Sequence, residues 1–121
     1  MARRDITGAV DFDHLSHFCA GDQALMEEVI GLFLEQADLW GRLLDPEGDG
    51  EAWRDGAHTL KGSALGIGAG ELGRVCGEAE AAWREPAAMR GVIRERLDHA
   101  LDQVRADIAA WRHEVLLAGL K

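Results

Sequence analysis

Apolar residues recur at intervals of three and four along most of the chain, which places them on one face of an α-helix. The pattern is interrupted at Ala20-Gly21, in the turn-rich segment 45–50, among the glycines between 66 and 70, and at Pro86. It predicts five helices: a short one over 12–19, a second from 22 to about 44, a third from 49–52 to 66–70, a fourth from 72 to about 85, and a fifth from Pro86 almost to the C-terminus.

Short connections between these helices favour antiparallel neighbours, and Asp22 is a candidate N-cap for the second helix. The sequence therefore predicts an all-α fold: an antiparallel up-down four-helix bundle with a short additional N-terminal helix. Residues 1–10 lack the helical pattern and are predicted to form an N-terminal tail. Residues 11–121 are predicted to form a single domain.

Composition adds little to the predicted fold, but it excludes some classes of partner. The 121 residues are 47% hydrophobic, enough for one core, and the absence of tyrosine favours helix over sheet. Thirteen basic and 22 acidic residues give a net charge of −9. Because this charge repels phosphate backbones and anionic lipids, we expect no nucleic-acid partner and no membrane partner.

The N-terminal residues and the two cysteines indicate where the protein works. Arg3 and Arg4 precede no apolar stretch, and no uncharged run approaches membrane-spanning length. Cys19 and Cys76 are isolated and lie in apolar patterns, which suits a reducing compartment. We expect a soluble cytoplasmic protein.

The third helix directs a histidine towards solvent. Its core stripe follows steps of four and three and consists of Trp53, Ala57, Leu60, Ala64 and Ile67. At about 100° per residue, His58 lies roughly 140° from the centre of this stripe, and Gly62 lies opposite the core. A lone exposed histidine is usually an ordinary surface residue, so the interpretation depends on its neighbours.

Those neighbours suit a phosphate carrier. Lys61 and Gly62 lie three and four positions after His58, where helix side chains meet. Lys61 supplies a positive charge for a phosphoryl group, while Gly62 leaves room for a partner. Histidine side chains ordinarily titrate at about pH 6.5, so much of their population is neutral and nucleophilic at neutral pH.

Residues 57–69 read Ala-His-Thr-Leu-Lys-Gly-Ser-Ala-Leu-Gly-Ile-Gly-Ala, which resembles the signature of histidine-containing phosphotransfer (HPt) domains. That signature is His-x-Leu-Lys-Gly-Ser-(Ala/Ser)-x-x-(hydrophobic)-Gly-Ala. Leu72, Cys76 and Glu80 also fall where the family has its following helix. The chain departs from many members at Leu65-Gly66, where small or amide residues are common.

The resemblance implies a phosphorelay protein that accepts a phosphoryl group on His58 from a receiver-domain aspartate and passes it to another receiver. It implies that Lys61 steadies the phosphoryl group and that Gly62, Leu65 and Arg54 belong to the receiver-docking surface. The implied partners are response-regulator receiver domains and a hybrid sensor histidine kinase. We expect a monomeric phosphocarrier without ATP-dependent kinase activity and without a cofactor or metal.

Three alternatives remain open. The phosphoacceptor domain of a sensor kinase also exposes a helical histidine, but it usually has an acidic residue after the histidine and a proline five positions on, where this chain has Thr59 and Ser63. A receiver-docking module that carries no phosphate would not need His58 and Lys61. A helical scaffold unrelated to phosphate would not need the motif at all.

Other chemical signals favour structural explanations. His14, His17 and Cys19 do not supply the three or four converging ligands of a zinc site, since Cys19 belongs to the apolar stripe. The acidic residues of segment 45–50 lack the glutamate of a calcium loop, and the glycines after residue 62 lack the context of a nucleotide loop. The four tryptophans occupy apolar stripes and are predicted to be core residues: Trp40, Trp53, Trp83 and Trp111.

Overall fold

The computed structural model describes residues 5–120, and this part of the chain contains five helices and no strand. The predicted all-α bundle is confirmed. The helices are α1 (Phe12–Phe18), α2 (Gln23–Gly41), α3 (Gly50–Gly66), α4 (Gly70–Ala81) and α5 (Ala87–Gly119). No helix within the described residues is both long and apolar enough to cross a membrane.

Three helices begin at an aspartate that caps their first turn. The side chains of Asp11, Asp22 and Asp49 each accept a hydrogen bond, at 3.1 Å, from the backbone N–H three residues later. An N-cap carboxylate satisfies a donor that the helix leaves unpaired and also interacts favourably with the helix dipole. The prediction of Asp22 as an N-cap is confirmed.

Contacts between helices show the antiparallel order. Helix α3 packs against both α2 and α4, and α4 packs against α5. Helix α5 closes the bundle by ion pairs to α2, with Arg105 to Asp38 at 3.1 Å and Arg112 to Glu27 at 2.6 Å. Residue numbers rise along α5 as they fall along α2, so these helices run in opposite directions.

The core follows the predicted stripes closely. Large side chains with less than 2% exposure come from every helix and from the connections, and they include Leu15, Ile30, Leu44, Trp53, Leu60, Leu72, Leu97 and Ile108. Two of the four tryptophans predicted to be core residues, Trp53 and Trp111, are buried. Trp83 is partly buried and packs against the core, whereas Trp40 is partly buried outside the core cluster, so for Trp40 the prediction is wrong.

Two helices end earlier than predicted. Helix α2 stops at Gly41, although Leu44 is still buried through a turn in which its N–H donates to the Gly41 carbonyl. Helix α4 stops at Ala81 rather than near Glu85. Ala82 is the C-cap of α4, and Pro86 is the N-cap of α5. Because the residue before a proline is disfavoured in helical conformation, Glu85 belongs to the connection between the two helices.

An aspartate inside the bundle attaches the segment before α1. Asp107 is fully buried on α5 and accepts hydrogen bonds from Thr7 N–H at 2.8 Å, the Thr7 hydroxyl at 2.9 Å and Val10 N–H at 3.0 Å. Val10 is itself a core residue. Packing against the bundle therefore begins before residue 11. The division into a tail at 1–10 and a domain at 11–121 stays a prediction, and residues 1–4 and 121 lie outside the described part of the chain.

The C-terminal end of α3 is held by a glycine. Gly68 has φ +79°, a conformation that glycine adopts without strain, and its carbonyl accepts a hydrogen bond from Asp11 N–H at 2.9 Å. A Cβ at this position would lie 2.8 Å from the Asp11 carbonyl oxygen. Gly68 therefore ends α3 and joins it to the start of α1.

Candidate functional site

Helix α3 presents His58 to solvent as the sequence predicts. Trp53, Ala57, Leu60 and Ala64 are completely buried and fix the inward face of the helix. The His58 side chain, on the opposite side, is 68% exposed. Its imidazole can therefore be reached by another protein without any movement of the bundle.

A carboxylate on the neighbouring helix holds the histidine. Glu80 of α4 places Oε2 2.8 Å from His58 Nδ1 and Oε1 2.7 Å from Lys61 Nζ. Its side chain is only 26% exposed. One carboxylate thus links the two α3 residues that the sequence predicts to act together.

The position of Glu80 determines which ring nitrogen of His58 carries the proton. A carboxylate accepts hydrogen bonds, so Nδ1 must carry the proton in this contact, and in the neutral ring Nε2 then has the free lone pair. The Lys61 hydrogen bond, more than that from His58, keeps the pKa of Glu80 below its usual range. The acceptor therefore stays ionised at neutral pH.

Lys61 extends along α4 to reach the same carboxylate. A Cβ at Gly77 would lie 3.6 Å from Lys61 Cδ, so the aliphatic part of the lysine lies close to the α4 backbone. The lysine side chain remains about one third exposed. The charge is consequently close to His58 and still accessible to a phosphoryl group.

The predicted docking residues Gly62 and Leu65 lie beside this site. No atom of the described residues outside the local helix backbone would come within 4 Å of a Cβ at Gly62, so the surface there is open. Leu65 is 51% exposed, and its side chain covers Gly73 of α4, where a Cβ would lie 2.6 Å from Leu65 Cδ2. Both residues can be contacted by a partner that approaches His58.

Arg54, the third predicted docking residue, lies one helical turn before His58. Its guanidinium carbon is 4.5 Å from the centroid of the Trp83 ring, and the guanidinium carbon of Arg84 is 4.4 Å from the same centroid. Trp83 follows the last residue of α4 by two positions and is partly exposed. The sequence singled out Arg54 but not this arrangement.

Sequence reasoning placed Glu80 on the following helix but gave it no role. The sequence does contain one signal for Glu80, namely its position relative to the core stripe of α4. Glu80 is one position after Ala79 and four positions after Cys76, and both of these residues are buried. That spacing puts a carboxylate on the flank of α4, but only the packing of α4 against α3 shows that it meets His58 and Lys61.

Other polar and thiol groups do not add a site here. Within residues 5–120, no group of three or more His, Cys, Asp or Glu side chains is arranged to hold a metal ion. Cys76 lies near Lys61, but burial raises the pKa of its thiol to about 12. A thiol that stays protonated is a poor nucleophile.

Comparison with known proteins gives two findings. The Hpt domain family matches residues 15–107 of the chain. The crystal structure of histidine phosphotransferase ShpA from Caulobacter crescentus is similar, with a TM-score of 0.76 and 46% sequence identity, and the match covers 94% of this chain and 100% of ShpA. No curated protein gives a significant match.

Proposed function

The chain belongs to the Hpt domain family of phosphorelays, and we propose that His58 is the residue that carries its phosphoryl group. The single observation that carries this assignment is the exposed imidazole whose Nδ1 contacts Glu80, which leaves Nε2 as the nucleophile. ShpA is described as a histidine phosphotransferase. The identity of the phosphorylated residue here rests on the geometry and on the motif at 57–69.

The proposed reaction is the reversible transfer of one phosphoryl group. The Nε2 lone pair of His58 attacks the phosphorus of an aspartyl phosphate on a receiver domain, an N–P bond forms, and the P–O bond to the aspartate breaks. The aspartate leaves as a carboxylate. The Nδ1 proton stays on the ring, where Glu80 accepts its hydrogen bond and offsets the positive charge that develops on the imidazole.

Lys61 acts on the phosphoryl group. Its ammonium is already held beside His58 by Glu80, at 2.7 Å, so the side chain loses little further freedom when phosphate arrives. The positive charge stabilises the negative oxygens during transfer and in phosphohistidine. Any magnesium that the reaction requires would belong to the receiver.

We propose that the receiver approaches across Gly62, with Leu65 and Arg54 on either side of His58 along α3. The open surface at Gly62 and the exposure of Leu65 support this approach. The phosphate then enters and leaves through partners, namely receiver domains and a hybrid sensor kinase. The chain acts as a monomeric carrier with no ATP-dependent kinase activity of its own.

The experiment that tests this function mixes the purified protein with a panel of phosphorylated receiver domains and measures the rate at which each receiver loses phosphate. Wild type should acquire acid-labile, alkali-stable phosphate, and the receiver that transfers fastest identifies the preferred partner. The His58→Gln variant should acquire none. The remaining histidines serve as internal controls, because His14, His17, His99 and His113 are unchanged in that variant.

Three results would contradict the proposal. Equal labelling of wild type and His58→Gln would place the phosphoryl group on another residue. Labelling of wild type by ATP alone, without any kinase or receiver, would show a kinase activity that the proposal excludes. Binding to receivers without any labelling would identify a docking module that carries no phosphate.

A further inference from the structure

The arginine pair at Trp83 is a feature that phosphoryl transfer itself does not require. Arg54 comes from α3 and Arg84 from the connection after α4, and both guanidinium groups lie over one indole ring at 4.5 and 4.4 Å. Guanidinium groups interact favourably with the face of an indole. The ring therefore gathers two positive charges from different segments at one place.

The ring itself is held by close backbone packing. A Cβ at Gly50, the first residue of α3, would lie 2.8 Å from the Trp83 carbonyl oxygen and 3.6 Å from Trp83 Cε3. The absence of a side chain at Gly50 lets the connection after α4 lie against the start of α3. Trp83 is thus fixed relative to the helix that carries His58.

This pair lies on the same side of α3 as Lys61. Arg54 and His58 are four residues apart, a spacing that brings their Cβ atoms to about 6 Å. Arg54 and Lys61 both project from the flank of α3 that faces α4 and the connection after it, as their contacts with Trp83 and Glu80 show. Positive charge therefore borders His58 on a protein whose net charge is −9.

The two arginines are available to a partner. Arg54 approaches Asp55 only at 3.7 Å, and both side chains are exposed, so this ion pair is weak. Among residues 5–120, no ion pair or hydrogen bond involves Arg84; its contact is the indole ring. Stacking leaves the edge of a guanidinium group free to donate hydrogen bonds to a carboxylate.

We propose that Arg54 and Arg84, which Trp83 holds in place, form a basic edge that binds acidic side chains of the receiver and selects among receivers. This inference rests on the proposed function. A receiver that carries an aspartyl phosphate and binds magnesium needs several carboxylates around that site. An acidic surface beside its aspartate would therefore meet this edge when the aspartate meets His58. Trp83 is a positioning residue that acts through both arginines.

The test measures transfer kinetics from the receiver that transfers fastest to wild type. Arg54→Gln and Arg84→Gln should each lower kcat/KM by about three- to tenfold, with the rate at saturating receiver changed by less than about twofold, because charges at the rim of an interface act mainly on association. Trp83→Leu should lower kcat/KM similarly although both arginines remain. Each effect should shrink as salt is raised.

Arg105→Gln is the matched control. Its side chain is 44% exposed against 39% for Arg54, and it pairs with Asp38 on the other side of the bundle. This variant should retain the wild-type kcat/KM. A melting temperature measured for every variant separates a loss of stability from a loss of docking.

Unchanged kcat/KM in Arg54→Gln and Arg84→Gln would overturn the proposal, even if their melting temperatures fell. So would a loss that is the same at low and high salt. Failure of the proposed function is distinguishable, because wild type itself would then take no phosphate from any receiver.

Discussion

Substitution of Glu80 by glutamine tests how the site selects its nucleophilic nitrogen. Glutamine keeps the shape of the side chain, but only one end of its amide can accept a hydrogen bond, whereas Glu80 accepts from both His58 and Lys61. If the amide oxygen accepts from Lys61, its NH₂ group faces His58 Nδ1 and donates to it. The proton of the neutral ring then moves to Nε2, which removes the lone pair that we propose attacks phosphorus.

The size of the effect follows from the exposure of the site. A hydrogen bond to a charged group contributes about 1.5–3 kcal/mol, and the low end applies because the His58 side chain is 68% exposed. A loss of about 1.5 kcal/mol corresponds to roughly a tenfold slower transfer. Glu80→Ala, which leaves both tautomers available, should show about this loss, and Glu80→Gln should be at least as slow.

Rapid-quench measurement of phosphate loss from a saturating phosphorylated receiver gives the rate, and nitrogen NMR of the imidazole gives the tautomer. Wild type should carry the proton on Nδ1, and Glu80→Gln should shift it towards Nε2. Glu78→Gln, which removes a similarly exposed carboxylate that pairs with Arg74 and Arg96 instead, should transfer at the wild-type rate. A wild-type rate in Glu80→Ala, or a proton on Nε2 in wild type, would refute this reasoning.

Three further predictions concern docking and stability. Gly62→Leu should block transfer sterically while circular dichroism shows unchanged helicity, since a side chain there meets nothing within the described structure; normal transfer would exclude this approach. Asp107→Ala leaves three donors without their acceptor and should lower the free energy of unfolding, measured in urea, by about 3 kcal/mol. Asp102 is exposed on the same helix, and Asp102→Ala should change this free energy by less than about 0.5 kcal/mol. The lowered pKa of Glu80 means that its ionised form stabilises the fold above its usual pKa and that this contribution disappears as pH falls through the folded pKa. Glu80→Gln should therefore flatten the loss of stability below about pH 4.5, as measured by urea unfolding across pH; an unchanged pH profile would contradict the assigned hydrogen bonds.

The features that the sequence predicts well are those carried by one helix at a time. The core stripe of α3 determines the direction of His58, and Asp22 marks where α2 begins. Position within one helix also places Lys61 and Gly62 near His58. Each inference needs only the helical repeat and the chemistry of neighbours in the chain.

The features that it misses depend on contacts between segments far apart in the chain. Glu80 is 22 residues from His58, and Asp107 is 100 residues from Thr7. Trp83 fits an apolar stripe and packs against the core, but α4 ends at Ala81, so the ring is only partly buried and also meets two arginines. The periodicity of apolar residues describes one helix at a time. It does not show which flank of that helix packs against the next helix.

The functional surface of α3 is consequently shaped by α4. Gly73 and Gly77 leave space on α4 over which Leu65 and Lys61 lie, and Glu80 one turn later holds His58 and Lys61 together. Residues that point outward from α3 would otherwise sample several rotamers, and ordering a long side chain costs up to about 2 kcal/mol. Because α4 orders them before a receiver arrives, the proposed phosphoacceptor His58 is both exposed and fixed, the combination that rapid transfer between two proteins requires.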